Sequence, residues 1–316
     1  MKKIIILLCL GLVISCKSSL ENQINKTEIS QSEVKEHVAF LTSDALKGRN
    51  TGTPGIETAA KYIENVFKKN EIKPYFETYR DTFNVKDIVG YNIVGFIEGS
   101  DPKLKNEFVI IGAHYDHIGY AKTVDNDSIA NGANDDASGT SAVLALAKYF
   151  SKTKSNKRSL IMALFSGEEL GLKGSEHLAT RLKAQNIDLY TMLNFEMIGV
   201  PFKDRDYEAF VSGYDLSNMA EVMNAQIGSN YLGRSDVAVK YNLFKRSDNF
   251  AFYEQFKSPC QTISSCDLSN YDYYHHVDDE ADKLDYNHMA NLVNKMIPAI
   301  EHICNSATKE IKMNNE

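Results

Sequence analysis

The chain of 316 residues carries 35 basic against 42 acidic residues, a formal net charge of −7. It has no basic stripe and no basic run interleaved with aromatics, which excludes an electrostatic footprint for nucleic acid, and mild acidity bears on solubility more than on partners. Less a leader, the length suits one large domain or two small ones with ample core.

The chain opens with Met1-Lys2-Lys3 and an almost wholly apolar stretch from Ile4 to Ile14. This is a charged region followed by an apolar one too short to span a bilayer as a mature helix. The stretch ends in Val13-Ile14-Ser15-Cys16, which resembles a bacterial lipoprotein signal. The resemblance implies residues 1–15 as signal, Cys16 as the lipid-carrying N-terminus and 16–29 as a polar tether. It implies an exported protein held to a membrane on the periplasmic side or the cell surface. An ordinary secretory signal with an incidental cysteine is the other reading, and both take the chain out of the cytoplasm. Five cysteines are present. Beyond Cys9 and Cys16, Cys260 and Cys266 are placed to close a small disulfide loop, or they stand with Cys304 as buried thiols. Their spacing is not that of a zinc knuckle.

Ser30-x-x-Glu33 is a capping box that opens a helix, with Val34, Val38 and Leu41 at helical spacing. A breaker-rich loop, Lys47 to Gly55, precedes a second amphipathic helix with Ile56, Ala59, Ile63, Val66 and Phe67 on one face, ending near Asn70. Residues 75–79 and 92–97 read as short strands. Strand 107–113 then leads through a Gly/Asp/Asn/Ser-rich loop, 119–139, into a helix over about 139–150. Strand 159–165, a helix over about 175–184 and a strand over 191–196 follow. The alternation spells an α/β layer architecture with parallel pairs. Later come strand-like 209–212, helical 216–226, strand-like 261–264 and a last helix, 287 to about 304, with Met289, Val293, Met296, Ile300 and Ile303 on one face. Its His288 and His302 lie outside any carboxylate cluster and receive no role. Residues 30–306 read as one domain and 307–316 as a polar C-terminal tail.

Five clusters sit where strands end. The first, Gly112-Ala-His114-Tyr-Asp116, places a histidine and an acid two apart, on one side if the strand continues. A carboxylate on the second nitrogen is what a metal-binding imidazole needs. The second is Asn134-Asp135-Asp136-Ala-Ser138-Gly139, just before a helix, where N-capping is the plain alternative. Next come Gly167-Glu168-Glu169 after a buried strand, Glu196 at the end of another, and His275-His276 in an acidic loop. An acid ending an apolar strand needs a partner or a metal. Histidines and carboxylates without thiolates, outside the carboxyl ends of strands, suit catalytic Zn²⁺, and the set is large enough for two metals sharing one carboxylate.

The order His-x-Asp, Asn-Asp-x-x-Ser-Gly, Gly-Glu-Glu-x-Gly, acid-Met-Ile-Gly and Tyr-His resembles the M28 family of zinc aminopeptidases, from Leu41-Thr-Ser-Asp-x-Leu-x-Gly-Arg49 to Asp282-Lys-Leu. The resemblance implies a phosphorylase/hydrolase-like fold, with a mixed, mostly parallel central sheet flanked by helices on both faces. It implies two zinc ions per chain, with Asp135 bridging, His114 and Glu196 completing one site, and Glu169 and His275 completing the other. Asp116 would orient His114, and Glu168 would serve as general base toward the attacking water. The substrates would be peptides with a free N-terminus. The bond between Asp135 and Asp136 would be cis, as is frequent in the family. Many members carry Asp where this chain has Glu196, one methylene longer. His275 is preferred to His276 because it follows Tyr274. His117 matches no ligand position of the family, faces away from Asp116 on an extended strand, and is set aside. A glutaminyl cyclase, a carboxypeptidase using Arg246 as its carboxylate clamp, or an inactive lipoprotein binding module are the competing readings; the absence of tryptophan weighs against the first.

Overall fold

The apolar run Phe108 to Ala113 becomes the middle of the molecule because both its faces are covered. In the computed structural model, which describes residues 28–314, strand β4 (Glu107–His114) lies between two parallel neighbours. In chain order the elements are α1 (Gln31–Leu41), α2 (Pro54–Lys69), β1 (Lys73–Pro74), β2 (Arg80–Val85), β3 (Ile88–Ile97), β4, β5 (Gly119–Val124), β6 (Asp127–Ala130), α3 (Gly139–Thr153), β7 (Ser159–Phe165), α4 (Lys173–Ala184), β8 (Asp188–Phe195), β9 (Ala209–Val211), α5 (Met219–Ile227), β10 (Leu232–Gly233), α6 (Asp236–Lys240), α7 (Asn249–Phe256), β11 (Cys260–Ser264) and α8 (Tyr286–Asn305). The leader, Cys16 and all but the last residues of the expected tether lie outside the described residues.

The main sheet runs β1-β3-β7-β4-β8-β11-β9-β10, with β2 hydrogen-bonded to β3. Its centre, β7-β4-β8-β11, is parallel, and antiparallel pairs β3/β7 and β9/β11 flank it. The sheet is therefore mixed, as expected. From β4 the chain crosses to β7 on one side and then to β8 on the other, so the strand order reverses beside β4. Open α/β sheets form their crevice at such a switch, outside the carboxyl ends of the strands.

Strand alternation divides the core between the two faces. Val109, Ile111, Leu160, Met162 and Leu164 pack with α1, α2, α3, α5 and α8. Ile110, Ile161, Ala163, Phe165 and Met192 pack with α4 and α7. A strand such as β7, Ser-Leu-Ile-Met-Ala-Leu-Phe, is buried at every position for this reason.

Several expectations change. Residues 75–79 form bends, and the strand lies further on at Arg80–Val85. Tyr75 keeps one main-chain bond to β3, its N–H donating to Val94 O at 3.2 Å, and its ring stands edge-on to Phe96 and Phe108. The loop expected over 119–139 contains the β5–β6 hairpin, whose turn residues Asp125 and Asn126 both have positive φ, the backbone a tight hairpin needs. Half of the capping box forms. Ser30 Oγ accepts from the Glu33 N–H at 3.2 Å, but Glu33 turns to Lys148 Nζ at 2.7 Å. The C-terminal tail does not trail away, since Ile311 is buried and its N–H donates to Tyr190 Oη. Ile29, assigned to the tether, is buried too. Cys260 and Cys266 are not bridged. Both are buried free thiols, as is Cys304, and Cys260 belongs to the core under α7 whereas Cys266 packs with Met197 and Tyr271.

The first turn of α4 approaches the loop after β7 at a glycine. A Cβ on Gly174 would lie 2.1 Å from Ser166 O and 2.3 Å from Asn92 Oδ1, and neither a main-chain oxygen nor a buried side chain can retreat far. Gly174→Ala is expected to cost about 1–3 kcal/mol, the scale of overpacking a tight contact, read as a lowered urea midpoint with unchanged slope.

Candidate metal centre

β4 ends at His114, so the period-two argument stops there. Over Tyr115 to Ile118 the backbone turns out of the sheet, and His114 Nδ1 meets the main-chain oxygen of Asp116 at 3.1 Å. That contact puts the ring proton on Nδ1 and leaves Nε2 to face Asp135 Oδ1 at 3.2 Å. The Asp116 carboxylate stands 3.7 Å from Nδ1 and has a second task. It accepts from Thr51 Oγ1 at 3.0 Å, from the Gly167 N–H at 2.9 Å and from the Glu168 N–H at 3.3 Å. One buried aspartate thus ties the histidine strand to the loop that carries both glutamates.

Asp135 lies in the loop Gly132–Ser138 that leads into α3. The Asp135–Asp136 peptide bond is cis, as the resemblance implied. The motif residues around it are fasteners. Asp136 Oδ1 accepts from the Gly139 and Met197 N–H groups, each at 3.0 Å. Asn134 Oδ1 accepts from Gly199 N at 2.8 Å, and Ser138 Oγ accepts from Ile198 N at 3.0 Å. The segment after β8 is therefore stitched to the Asp135 loop, and the Glu196-Met-Ile-Gly run owes its form to those bonds. From the other side Asp279 accepts from the Asn134 N–H at 2.7 Å, the Asp135 N–H at 3.1 Å and Tyr271 Oη at 2.6 Å. Arg49 is fully buried and donates to the carbonyls of Leu41, Tyr115, Asn131 and Gly132 at 2.5–2.9 Å.

Four side chains converge: His117, Asp135, Glu169 and His275, with one ligand-type atom of each within 4.8 Å of the others. Glu169 Oε1 is 3.0 Å from His117 Nδ1 and Oε2 is 3.1 Å from His275 Nε2. His275 Nε2 is 3.3 Å from Asp135 Oδ2. The presence of His117 corrects the sequence reading, which had set it aside by strand alternation; the strand has ended three residues earlier. His276 is pinned outside the cluster, its Nδ1 accepting from the Asp278 N–H at 3.0 Å. Glu196 follows β8 beside Ser247, outside the four-residue group, and its Oε2 is buried without a hydrogen-bond partner.

The electrostatics are those of a cation site. Burial opposes charge on Asp135, yet His114 and His275 hold its carboxyl well below the ordinary range. Burial likewise works against the charge of Glu169, and the nearby Asp135 adds to that, but His117 and His275 keep it low. Burial opposes charge on His275, which Asp135 and Glu169 nonetheless pull up to about 10. Burial pushes Glu196 and Asp248 up to about 7, and Glu168 rises well above its usual range through burial, with Glu196 and Asp248 adding repulsion. His114 Nε2, His117 Nδ1, Glu169 Oε1, His275 Nε2 and Glu196 Oε2 are all buried without a hydrogen-bond partner. Buried polar atoms seldom stand alone. Nitrogen and oxygen donors converging in this way fit Zn²⁺.

Arg49, Thr51 and Asp279 were not singled out from sequence for these roles. Arg49 ends the Leu41–Arg49 stretch and Asp279 follows the histidine pair, so both lay beside readable motifs; Thr51 carried no distinguishing signal.

The model for Peptidase family M28 matches residues 92–300. A probable zinc metalloprotease of Leptosphaeria maculans is 31% identical over 194 residues, 56% of this chain and 43% of that protein. One from Pyrenophora teres f. teres is 29% identical over 185 residues, 55% and 37% of the two chains. The chain thus spans well under half the length of these curated relatives. Among solved structures, Legionella pneumophila LapA aminopeptidase superposes with a TM-score of 0.68 at 22% identity over 90% of this chain and 74% of that one. A Bacillus subtilis zinc aminopeptidase gives 0.68 at 14% over 89% and 97%, and Porphyromonas gingivalis glutaminyl cyclase gives 0.67 at 14% over 87% and 98%. At such identities the likeness is one of fold.

Asp279→Asn places an amide among three donors that need an acceptor. It is expected to weaken zinc binding about 10- to 100-fold, the scale of outer partners of metal ligands, measured by competition with a chromophoric chelator.

Proposed function

This chain belongs to peptidase family M28, and from that membership we propose zinc-dependent hydrolysis of peptide bonds that releases residues from the free N-terminus of peptides. The observation that carries the reading is the division of labour between two adjacent glutamates. Glu169 stands among His117, Asp135 and His275, while Glu168, its neighbour on the same loop, is left out of that group and feels His114, Glu196 and Asp248. A carboxylate beside the ligand-type residues but not spent on them, with its proton affinity raised by burial, suits a general base. His114, Asp135 and Glu196 would hold one zinc, and Asp135, Glu169 and His275 would hold the other. Bound there, zinc would supply polarisation of the scissile carbonyl and acidification of water.

Glu168 accepts the proton of the attacking water and delivers it to the departing amine, and the Asp116 bonds to the main chain at Gly167 and Glu168 keep its loop in register for both transfers. The aminopeptidase reading draws on the surplus of carboxylates. Glu196 borders a recess lined by Met197, Phe210, Leu243, Leu268 and Tyr274. Arg246, Ser247 and Thr262 line the same recess; Glu196 would take the α-ammonium group and the apolar side of the recess the first side chain of a peptide. Export and lipid anchoring through Cys16 complete the proposal and rest on the leader sequence alone.

Glu168→Gln is expected to retain fold and zinc while losing about 10²–10⁴ in turnover, the usual share of general acid–base catalysis; rates near the parent would remove Glu168 from the role. Asp135→Asn should instead lose metal by elemental analysis. A panel of aminoacyl, N-blocked and N-terminal glutaminyl peptides, with and without chelator, tests the substrate class. Free N-termini alone should be cleaved, and only without chelator. Hydrolysis of blocked peptides, activity that survives chelation, or ammonia release from the glutaminyl arm as the sole reaction would each overturn it. Metabolic lipid labelling should disappear in Cys16→Ala; equal labelling would end the anchor proposal.

A further inference from the structure

We propose that His117 is a fourth protein ligand at the Asp135–Glu169–His275 position, which makes the metal pair one closed site and one open site; the inference rests on the zinc reading above. Ligand atoms about 2.0–2.1 Å from a tetrahedral zinc lie about 3.3 Å from one another. The contacts around the cluster have that size. His117 Nδ1 is 3.0 Å from Glu169 Oε1 and 3.7 Å from Asp135 Oδ2. His275 Nε2 is 3.1 Å from Glu169 Oε2 and 3.3 Å from Asp135 Oδ2. The two rings meet edge to face, 5.5 Å between centroids and 75° between planes, so each carboxylate spans both imidazoles.

A plain hydrogen bond from His117 to Glu169 is the simpler account, and the geometry disfavours it. His117 Nδ1 and Glu169 Oε1 are each buried without a hydrogen-bond partner despite their separation, so the two atoms point at a common third place rather than at one another. His117 is wholly buried, and its ring is seated against the backbone. A Cβ on Gly132 would come within 2.5 Å of His117 Cγ, and the His117 N–H donates to Arg49 O at 3.3 Å. The side chain is held toward the cluster before any ligand arrives.

Four protein ligands fill a tetrahedral shell, and three leave a position free. The His114–Asp135–Glu196 site therefore keeps the exchangeable position, and the His117 site is the tighter, slowly exchanging one.

Full-length protein with ¹⁵N-labelled histidine, loaded with ¹¹³Cd²⁺ as the only metal, tests the assignment, because a coordinated ring nitrogen shows scalar coupling to cadmium. Three coupled imidazoles are expected, from His114, His117 and His275, and His117→Ala identifies the resonance that disappears. Coupling at His114 and His275 with His117 uncoupled would overturn the proposal and leave the zinc reading standing. No coupling at any histidine would overturn the zinc reading itself. His117→Asn keeps a hydrogen-bonding group near Nδ1 and serves as the second arm. Chelator competition should show its tighter zinc weakened by about 100-fold or more, beyond the usual effect of an outer partner; an unchanged affinity would overturn the proposal.

Discussion

The structure depends on keeping a crowd of acids out of water. Asp116, Asp135, Asp136, Asp248 and Asp279 are essentially inaccessible, with Glu168, Glu169 and Glu196 beside them. Buried like charges are ruinous unless they are paired, hydrogen-bonded or neutralised. Here the compensations are of three kinds. Main-chain N–H groups satisfy Asp116 and Asp279 and one oxygen of Asp136. Arg49 lends a buried positive charge, although its burial lowers its own pKa to about 10. The remaining acids face three imidazoles with unpartnered nitrogens, a demand for cations that zinc meets.

That demand explains why so many motif residues are fasteners rather than reagents. Asn134, Asp136 and Ser138 bind the segment after β8, Asp279 binds the Asp135 loop from the far side, and Asp116 binds the Glu168 loop to β4. Each bond joins the end of one strand to the end of another. The parallel centre of the sheet brings those ends to one edge, and side-chain-to-backbone bonds then fix the loops against each other. Arg49 does the same with four carbonyls from three separate segments. A centre assembled in this way is rigid before metal enters, which ligand geometry at a few tenths of an ångström requires.

Much of this was legible in the sequence wherever periodicity or residue chemistry acts locally. The buried strands over 107–113 and 159–165 announce themselves by continuous apolar runs, and the ligand-type residues lie where those runs stop. Polar β2 and the β5–β6 hairpin escaped notice because their side chains are half exposed and their pairing partners supply the signal. The bent aromatic stretch at 75–79 looked like a strand because alternating rings suit either a ladder or the rim of a core. Cys260 and Cys266 are near in sequence, but they enter different packing layers, and nothing in their spacing could say so.

The sequence by itself determined the layer architecture and the family, and it named three of the four side chains that converge at Asp135, because strand ends, glycine-bounded acids and histidine spacing are local features. The tertiary structure alone decided where the chain leaves the sheet after His114, and with it the place of His117, because a residue's facing follows alternation only while the strand lasts. It also decided which carboxylates are spent on backbone amides and which remain for a cation, since that depends on groups brought together from distant parts of the chain.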